Sequence, residues 1–273
     1  MAPRLAALFT LLLLGFAAQG TALSATRDPC EQVFKSWAQF PAFFEEVDRT
    51  WSARQAERYW PELKRGDLAP EEIRAVGAYF NHDYAPINQF LRTGDVENNP
   101  RWQSVYGKSK AQKIEDVKSY IPLIDRVIEK SRPVPGGVIL FRTESHPLSR
   151  AVAVEGQVIS NAGYTSTSID AGMARKMARK IVEEMEPDEQ KAIVIQAIKV
   201  PPGGLPAVYA PRLIEAFSMP GALSQEREVL LRRGLSFKVV KVEKLEYGAK
   251  ELKDKGLPGA VPLYVQYVEA IAP

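Results

Sequence analysis

The sequence predicts an α+β fold, with helices gathered in the first half of the chain and strands in the second. Three observations carry this. Residues 30–92 space their aromatic side chains helically, with Phe34, Trp37, Phe40, Phe44, Trp51, Tyr59 and Trp60 about three, four or seven positions apart. Beyond Val138 the texture changes to short runs rich in valine, isoleucine and aromatics. Between the two halves stands the helix-breaking block Arg132-Pro133-Val134-Pro135-Gly136-Gly137. A doubly wound parallel sheet would alternate strands with helices, and this chain does not.

In chain order, the N-terminus comes first. Arg4, the apolar run of residues 5–18 and the small residues around Gly20 and Ala22 read as a secretory signal peptide. Gln19, Gly20, Thr21 and Ser24 dilute the segment below the apolar run of about 20 that a membrane span requires. Residues 1–22 are therefore taken as the leader, 23–68 as an N-terminal helical extension and 69–273 as the main domain. Pro70, Glu71 and Glu72 suit a helix start, so residues 71–80 are expected to be helical. Residues 94–110 read as a polar loop, followed by a helix over residues 111–130 with Pro122 as its bend point. The expected strands are VILFRT, TSTS, AIVIQAIKV, AVYA, REVLL, FKVVKVEKLEY and PLYVQYV, with a helix over residues 171–185 inserted after the second.

Composition narrows the function. With 273 residues, 45% of them apolar, the chain is long enough to bury a substantial core. Its 36 basic and 33 acidic residues nearly cancel, which disfavours a nucleic-acid partner. One cysteine excludes an intrachain disulfide, and with only two histidines it cannot build the usual tetrahedral zinc site, so no metal is expected. Cys30 follows Thr-Arg-Asp-Pro and reads as a free thiol, not a lipid site. Neither a stable membrane insertion nor an oligomer is called for, and an exported monomer is the expectation.

Two nucleotide-binding patterns fail. Gly107-Lys108-Ser109 resembles the end of a P-loop, but Trp102 stands where its first glycine belongs. No glycine-rich dinucleotide fingerprint follows a strand. His82 and His146 have no nucleophile or metal-ligand companions at recognisable spacing.

What remains is an ordered trio: Arg142 in Val138-Ile139-Leu140-Phe141-Arg142-Thr143, then Ser166 in Thr165-Ser166-Thr167-Ser168, then Glu226 and Glu228 in Glu226-Arg227-Glu228. Alone, each has an ordinary explanation as a solvated charge or an edge strand. Together, in this order, they resemble the arginine-specific mono-ADP-ribosyltransferases, in particular bacterial toxins with an Arg, Ser-Thr-Ser, Glu-x-Glu signature, among them actin-modifying members. Tyr79-Phe80-Asn81-His82-Asp83-Tyr84-Ala85-Pro86-Ile87-Asn88-Gln89-Phe90-Leu91-Arg92 is similar to the family's Tyr-x-x-Ile-Asn-x-x-Leu-Arg helix beside the NAD site. Thr143-Glu144 replaces the glycine often found after the arginine, and Tyr164 stands where many members have phenylalanine.

The resemblance implies an ADP-ribosyltransferase-like fold, in which N-terminal helices precede a mixed two-sheet β core. It implies NAD as substrate and an arginine of a host protein, an actin-like one included, as acceptor. Cleavage of the nicotinamide–ribose bond passes through an oxocarbenium-like state, and nicotinamide leaves neutral without a general acid, unlike the leaving oxygen in glycoside hydrolysis. By resemblance Glu228 stabilises that charge, and Ser166 orients Glu228. Arg142 and Arg92 bind the diphosphate, with Thr143, Asn88 and Tyr84 as further NAD contacts. Glu226 holds the acceptor guanidinium, whose pKa exceeds about 12, and takes its proton. Alternate residues of a strand share a face, so both glutamates are expected on one strand pointing into the site. Residues 218–225 would form a target-contacting loop. Three alternatives stay open: an NAD glycohydrolase using water, a catalytically dead binding module on the same fold, and a periplasmic ligand-binding protein.

Overall fold

Strand periodicity explains how this chain builds its core. In β1 (Ile139–Pro147), Ile139 and Phe141 bury on one face, while Leu140 and the preceding Val138 bury on the other. The same division recurs in β4 (Lys191–Lys199), where Ile193, Ile195 and Ala197 lie opposite Ile198. A strand apolar on both faces is covered on both. The computed structural model describes residues 60, 64, 66–97, 107–148, 152–185, 191–219, 226–247 and 261–271. The expected leader, Cys30, nearly all of the N-terminal extension and residues 220–225 of the expected loop lie outside the described residues.

The remaining strands are β2 (Val158–Asn161), β3 (Thr165–Ser168), β5 (Ala207–Tyr209), β6 (Glu228–Leu231), β7 (Leu235–Tyr247) and β8 (Val261–Ile271). All eight join in the order β2-β7-β8-β4-β1-β3-β6-β5. Only β4 and β8 run parallel, from Ile193↔Leu263 to Lys199↔Glu269; the other pairs are antiparallel. The expected two sheets are recognisable as two halves of this array. Five strands end at β1, three begin at β3, and the halves share the single register pair Phe141↔Ser168.

Helices cover the faces. α1 (Pro70–Ala78) begins with proline at its first position, and the Glu72 carboxylate accepts from the Ala69 backbone N–H at 2.8 Å. A π-helical turn (Tyr79–Asp83) then leads into α2 (Tyr84–Thr93), which ends where Gly94 takes the left-handed conformation at φ 75°. The helix expected over residues 71–80 is thus the first part of a longer helical segment. α3 (Lys110–Lys130) opens with a capping box in which the Ser109 hydroxyl accepts from Gln112 N–H and the Gln112 side chain accepts from Ser109 N–H. Pro122 is accommodated inside it. α4 (Ala171–Glu184) is capped by Asp170, whose side chain accepts from Gly172 N–H at 2.8 Å. α5 (Ala210–Phe217) was not foreseen, nor was the short strand β2.

Three apolar clusters result. Ala174, Ala178 and Val182 of α4 pack on Ile193, Ile195 and Val265 of the five-stranded half. Leu140, Ile198, Val229, Leu231 and Val268 fill the space between the halves. The third cluster sets Val76, Tyr79, Ile87, Val117 and Ile124 of the helical layer against Tyr164, Val208 and Leu230. Lys113 of α3, only 4% exposed, donates to the Asp83 carboxylate at 2.5 Å and so anchors the end of the π turn. A charge that deeply buried requires such a partner. No described helix is long and apolar enough to cross a membrane.

Candidate active site

The junction of the two half-sheets lies in the wall of a cleft of about 700 Å³, since both Phe141 and Ser168 line it. All eight residues singled out in the sequence line the same cleft: Tyr84, Asn88 and Arg92 from α2, Arg142 and Thr143 from β1, Ser166 from β3, and Glu226 and Glu228 at the start of β6. Met173, Met177 and Lys180 of α4 also line it. Sequence positions more than a hundred residues apart therefore converge where helix, strand and turn meet.

Glu228 is the first residue of β6 and pairs in register with Ser168. Ser166 stands beside its carboxyl in the cleft and favours the ionised form. Desolvation by burial pushes it up to about 7; the neighbouring Glu226 carboxylate pushes the same way and the Ser166 hydrogen bond opposes both. A carboxylate tuned this way, inside a cleft, is a group poised for chemistry near neutral pH.

Glu226 reaches the cleft by a different route from the one expected. β6 starts at Glu228, and Arg227 adopts a positive φ of 48°, so Glu226 sits in a turn and not on the strand. The strand alternation invoked for the two glutamates does not apply. A residue in the left-handed region reverses the chain locally, and it is this turn that delivers both carboxylates to one cavity. Ser168 holds the turn by donating its hydroxyl to the Glu226 backbone carbonyl at 2.9 Å, and the Arg227 guanidinium lies 3.8 Å from the Asp170 carboxylate.

β1 runs past its expected end to Pro147, so Arg142, Glu144 and His146 alternate along one face. Arg142 forms an ion pair with Glu144, whose second oxygen lies 3.3 Å from His146 Nε2. Thr143 points the opposite way and donates its hydroxyl to the Ala174 carbonyl of α4 at 2.8 Å. Tyr84 is 54% exposed at the cleft. The exposed Arg92 donates from Nε to the Asn88 backbone carbonyl at 2.9 Å.

Tyr79 opens the segment that resembles the family's helix, but sequence reasoning gave it no role. It is 1% exposed, and its hydroxyl lies 3.2 Å from Ser166 Oγ and accepts from Asn88 Nδ2 at 2.9 Å. Burial and the Glu228 carboxylate push its phenol up to about 12. The signal was its position at the helical entry to Tyr84-to-Arg92, but a tyrosine on an apolar helix face reads as packing until its hydroxyl partner is seen. Tyr79 opens the π turn, a distortion frequent at functional sites. Among the described residues no cluster of histidine, cysteine and carboxylate side chains could hold a metal ion.

Comparison with known proteins places this geometry. Residues 48–257 match the ADP-ribosyltransferase exoenzyme family. Exoenzyme T of Pseudomonas aeruginosa is 34% identical over 129 residues, which are 45% of this chain and 24% of that protein, so the match spans about a quarter of that curated relative. Among solved structures, the fold is similar to Vis, an ADP-ribosyltransferase toxin from Vibrio splendidus, in complex with agmatine: 18% identity over 82% of this chain and 84% of that one, TM-score 0.53. It is also similar to the enzymatic component C2-I of the C2-toxin from Clostridium botulinum, with 17% identity, 82% and 47% coverage and TM-score 0.51. A third is BECa, an ADP-ribosylating toxin of a C. perfringens binary enterotoxin, with NADH: 19% identity, 81% and 47% coverage, TM-score 0.50. With its full signature gathered in one cleft and its sequence matched over most of its length, the chain belongs to the ADP-ribosyltransferase exoenzyme family.

Proposed function

We propose that this chain is an exported toxin that cleaves NAD and transfers ADP-ribose to an arginine side chain of a host protein, releasing nicotinamide. The observation that carries the reading is the desolvated Glu228 carboxyl, with Ser166 and Glu226 beside it, in the cleft that also holds Arg142. In this reading Glu228 stabilises positive charge as the ribose–nicotinamide bond breaks and its electron pair leaves on the pyridine nitrogen. Arg142 and Arg92 bind the diphosphate with planar forks of donors. Tyr84, on the exposed rim, contacts the dinucleotide, and Thr143 ties the β1 strand to α4. Glu226 aligns the acceptor guanidinium and takes its proton as nitrogen bonds to the ribose carbon. A glutamate at this position, with agmatine as the guanidinium bound by the similar Vis toxin, supports arginine as the acceptor. Export rests on the N-terminal leader pattern at residues 1–22.

The test is to incubate the purified chain with NAD and agmatine, then separate nicotinamide, free ADP-ribose and ADP-ribosylagmatine. The proposal expects ADP-ribosylagmatine in excess of free ADP-ribose. Nicotinamide with only free ADP-ribose points instead to a glycohydrolase, and no nicotinamide release removes the enzymatic reading.

A further inference from the structure

Four polar groups run in file toward Glu228: the side chains of Asn88, Tyr79 and Ser166, then the carboxyl itself. Their proton directions are forced from the far end. The Tyr164 backbone N–H can only donate, and it meets Asn88 Oδ1 at 2.8 Å, which fixes the orientation of that amide. Asn88 Nδ2 must then donate to the Tyr79 hydroxyl, 2.9 Å away. The contact between Tyr79 and Ser166 Oγ at 3.2 Å admits either hydroxyl as donor; with its oxygen already accepting from Asn88, Tyr79 satisfies its one proton by donating to Ser166. Ser166 in turn has one proton, left for Glu228, whose carboxyl lines the same cleft and is stabilised in its ionised form by Ser166.

The packing around Asn88 guards this order. A Cβ at Gly163 would come within 2.6 Å of Asn88 Oδ1, so only glycine lets the loop before β3 close on the amide. The π turn sets Tyr79 between Asn88 and Ser166, and the Tyr79 ring stands edge-on to Tyr164 with centroids 5.6 Å apart.

We propose that Asn88 and Tyr79 are positioning residues that polarise the Ser166 hydroxyl toward Glu228, and that Asn88 is not itself a contact to NAD. Each end of the Asn88 amide already has a partner inside the protein, Oδ1 accepting from Tyr164 N–H and one Nδ2 proton going to Tyr79. A chain of donors oriented in one sense strengthens its last bond, because each donor polarises the next. Ser166 is thereby held as a donor, with its proton on Glu228, and acts as neither nucleophile nor base. This rests on the proposed NAD cleavage for its consequence in rate, but not for its effect on Glu228.

Tyr79→Phe keeps the buried ring and removes only the hydroxyl, so it is the variant of choice. Removing a partner that orients a reacting group typically costs about 10-fold to 100-fold in activity. The expectation is a fall of that size in kcat for nicotinamide release with KM for NAD unchanged, and an upward move of the Glu228 carboxyl titration. That titration is read directly by carbon-13 NMR with glutamate labelling, assigned by loss of its signal in Glu228→Gln. The other charged groups lining the cleft, Glu226, Arg142, His82, Arg92 and Lys180, are untouched by this substitution. Asn88→Asp still accepts from Tyr164 N–H but can no longer donate to Tyr79, so the file reverses; its kcat should fall similarly, and the double variant should be no slower than either single one. An unmoved Glu228 titration in Tyr79→Phe overturns the proposal, as does a raised KM with unchanged kcat in Asn88→Asp. A wild-type chain that releases no nicotinamide would defeat the functional reading alone, because the NMR titration still tests the file.

Discussion

Ser168 donates its hydroxyl to the backbone carbonyl of Glu226 at 2.9 Å and accepts from Asp170 N–H at 3.0 Å. The last residue of the Ser-Thr-Ser segment therefore ties the turn carrying one glutamate to the cap of α4. Thr167 serves a neighbouring purpose, donating to the Val229 carbonyl at 2.7 Å. Of the three hydroxyl residues, Ser166 is the one whose side chain acts on the Glu228 carboxyl.

Ser168→Ala should loosen this turn without touching Glu228. Leaving the buried Asp170 N–H without its partner costs about 1–3 kcal/mol, measurable by denaturant unfolding. Transfer to agmatine should fall more than nicotinamide release, because Glu226 moves and Glu228 stays on its strand. Equal losses in the two rates would show that the tie serves the whole site.

The raised Glu228 carboxyl predicts a pH dependence. In the proposed reaction Glu228 acts in its ionised form, so kcat/KM for nicotinamide release should rise with pH through a midpoint of about 7. Glu226→Gln removes a carboxylate that pushes the midpoint up and should lower it; Ser166→Ala removes an opposing hydrogen bond and should raise it. Stability follows with a definite sign. A carboxyl raised from 4.5 to about 7 binds its proton more tightly in the folded chain, so its contribution is full below 4.5 and is lost as pH rises through about 7. Thermal unfolding of Glu228→Gln should lack that decline, and a parallel pair of stability curves would argue against the raised carboxyl.

Arg142 enters the resting cleft already paired with Glu144 on the same face of β1. If Arg142 binds the diphosphate as proposed, the diphosphate competes with that carboxylate. Arg142→Lys should raise KM for NAD, because a point charge cannot reproduce the two-pronged contact, whereas Glu144→Gln should lower it by freeing the fork. Steady-state kinetics at fixed ionic strength decide; an unchanged KM in both variants would take Arg142 out of the NAD site.

The order of helices before strands was legible because glycine and proline clusters separate two textures of sequence. β2 was hidden by its brevity: four residues, Val158 to Asn161, at the sheet edge. α5 was hidden behind the strand-like Ala207-Val208-Tyr209, its first turn occupied by Pro211. β1 was expected to stop at Thr143, since Glu144, Ser145 and His146 are polar, but β4 supplies partners for each of them as far as Pro147↔Lys191. The site's members were legible from motif order, yet their connections were not. Nothing in Glu226-Arg227-Glu228 signals the left-handed Arg227, and nothing in a buried tyrosine states which hydroxyl it meets.

That left-handed residue bears on the experiment that separates transferase from hydrolase. Because Glu226 lies in a turn outside β6, it can change without disturbing the strand that carries Glu228. Glu226→Gln keeps the shape and the capacity to hold a guanidinium by hydrogen bonds, but it loses the base that accepts a proton as the nitrogen attacks. In the proposed reaction nicotinamide departure depends on Glu228 and Ser166, both intact in this variant, and water remains available as acceptor. The expected outcome is near-complete loss of ADP-ribosylagmatine with a substantial fraction of NAD hydrolysis retained, each product quantified in the same reaction. Should both activities fall together, Glu226 belongs to the bond-breaking machinery, acting through its electrostatic coupling to Glu228. Should both survive, the acceptor is not a guanidinium that needs a base, and the arginine reading of this turn is wrong.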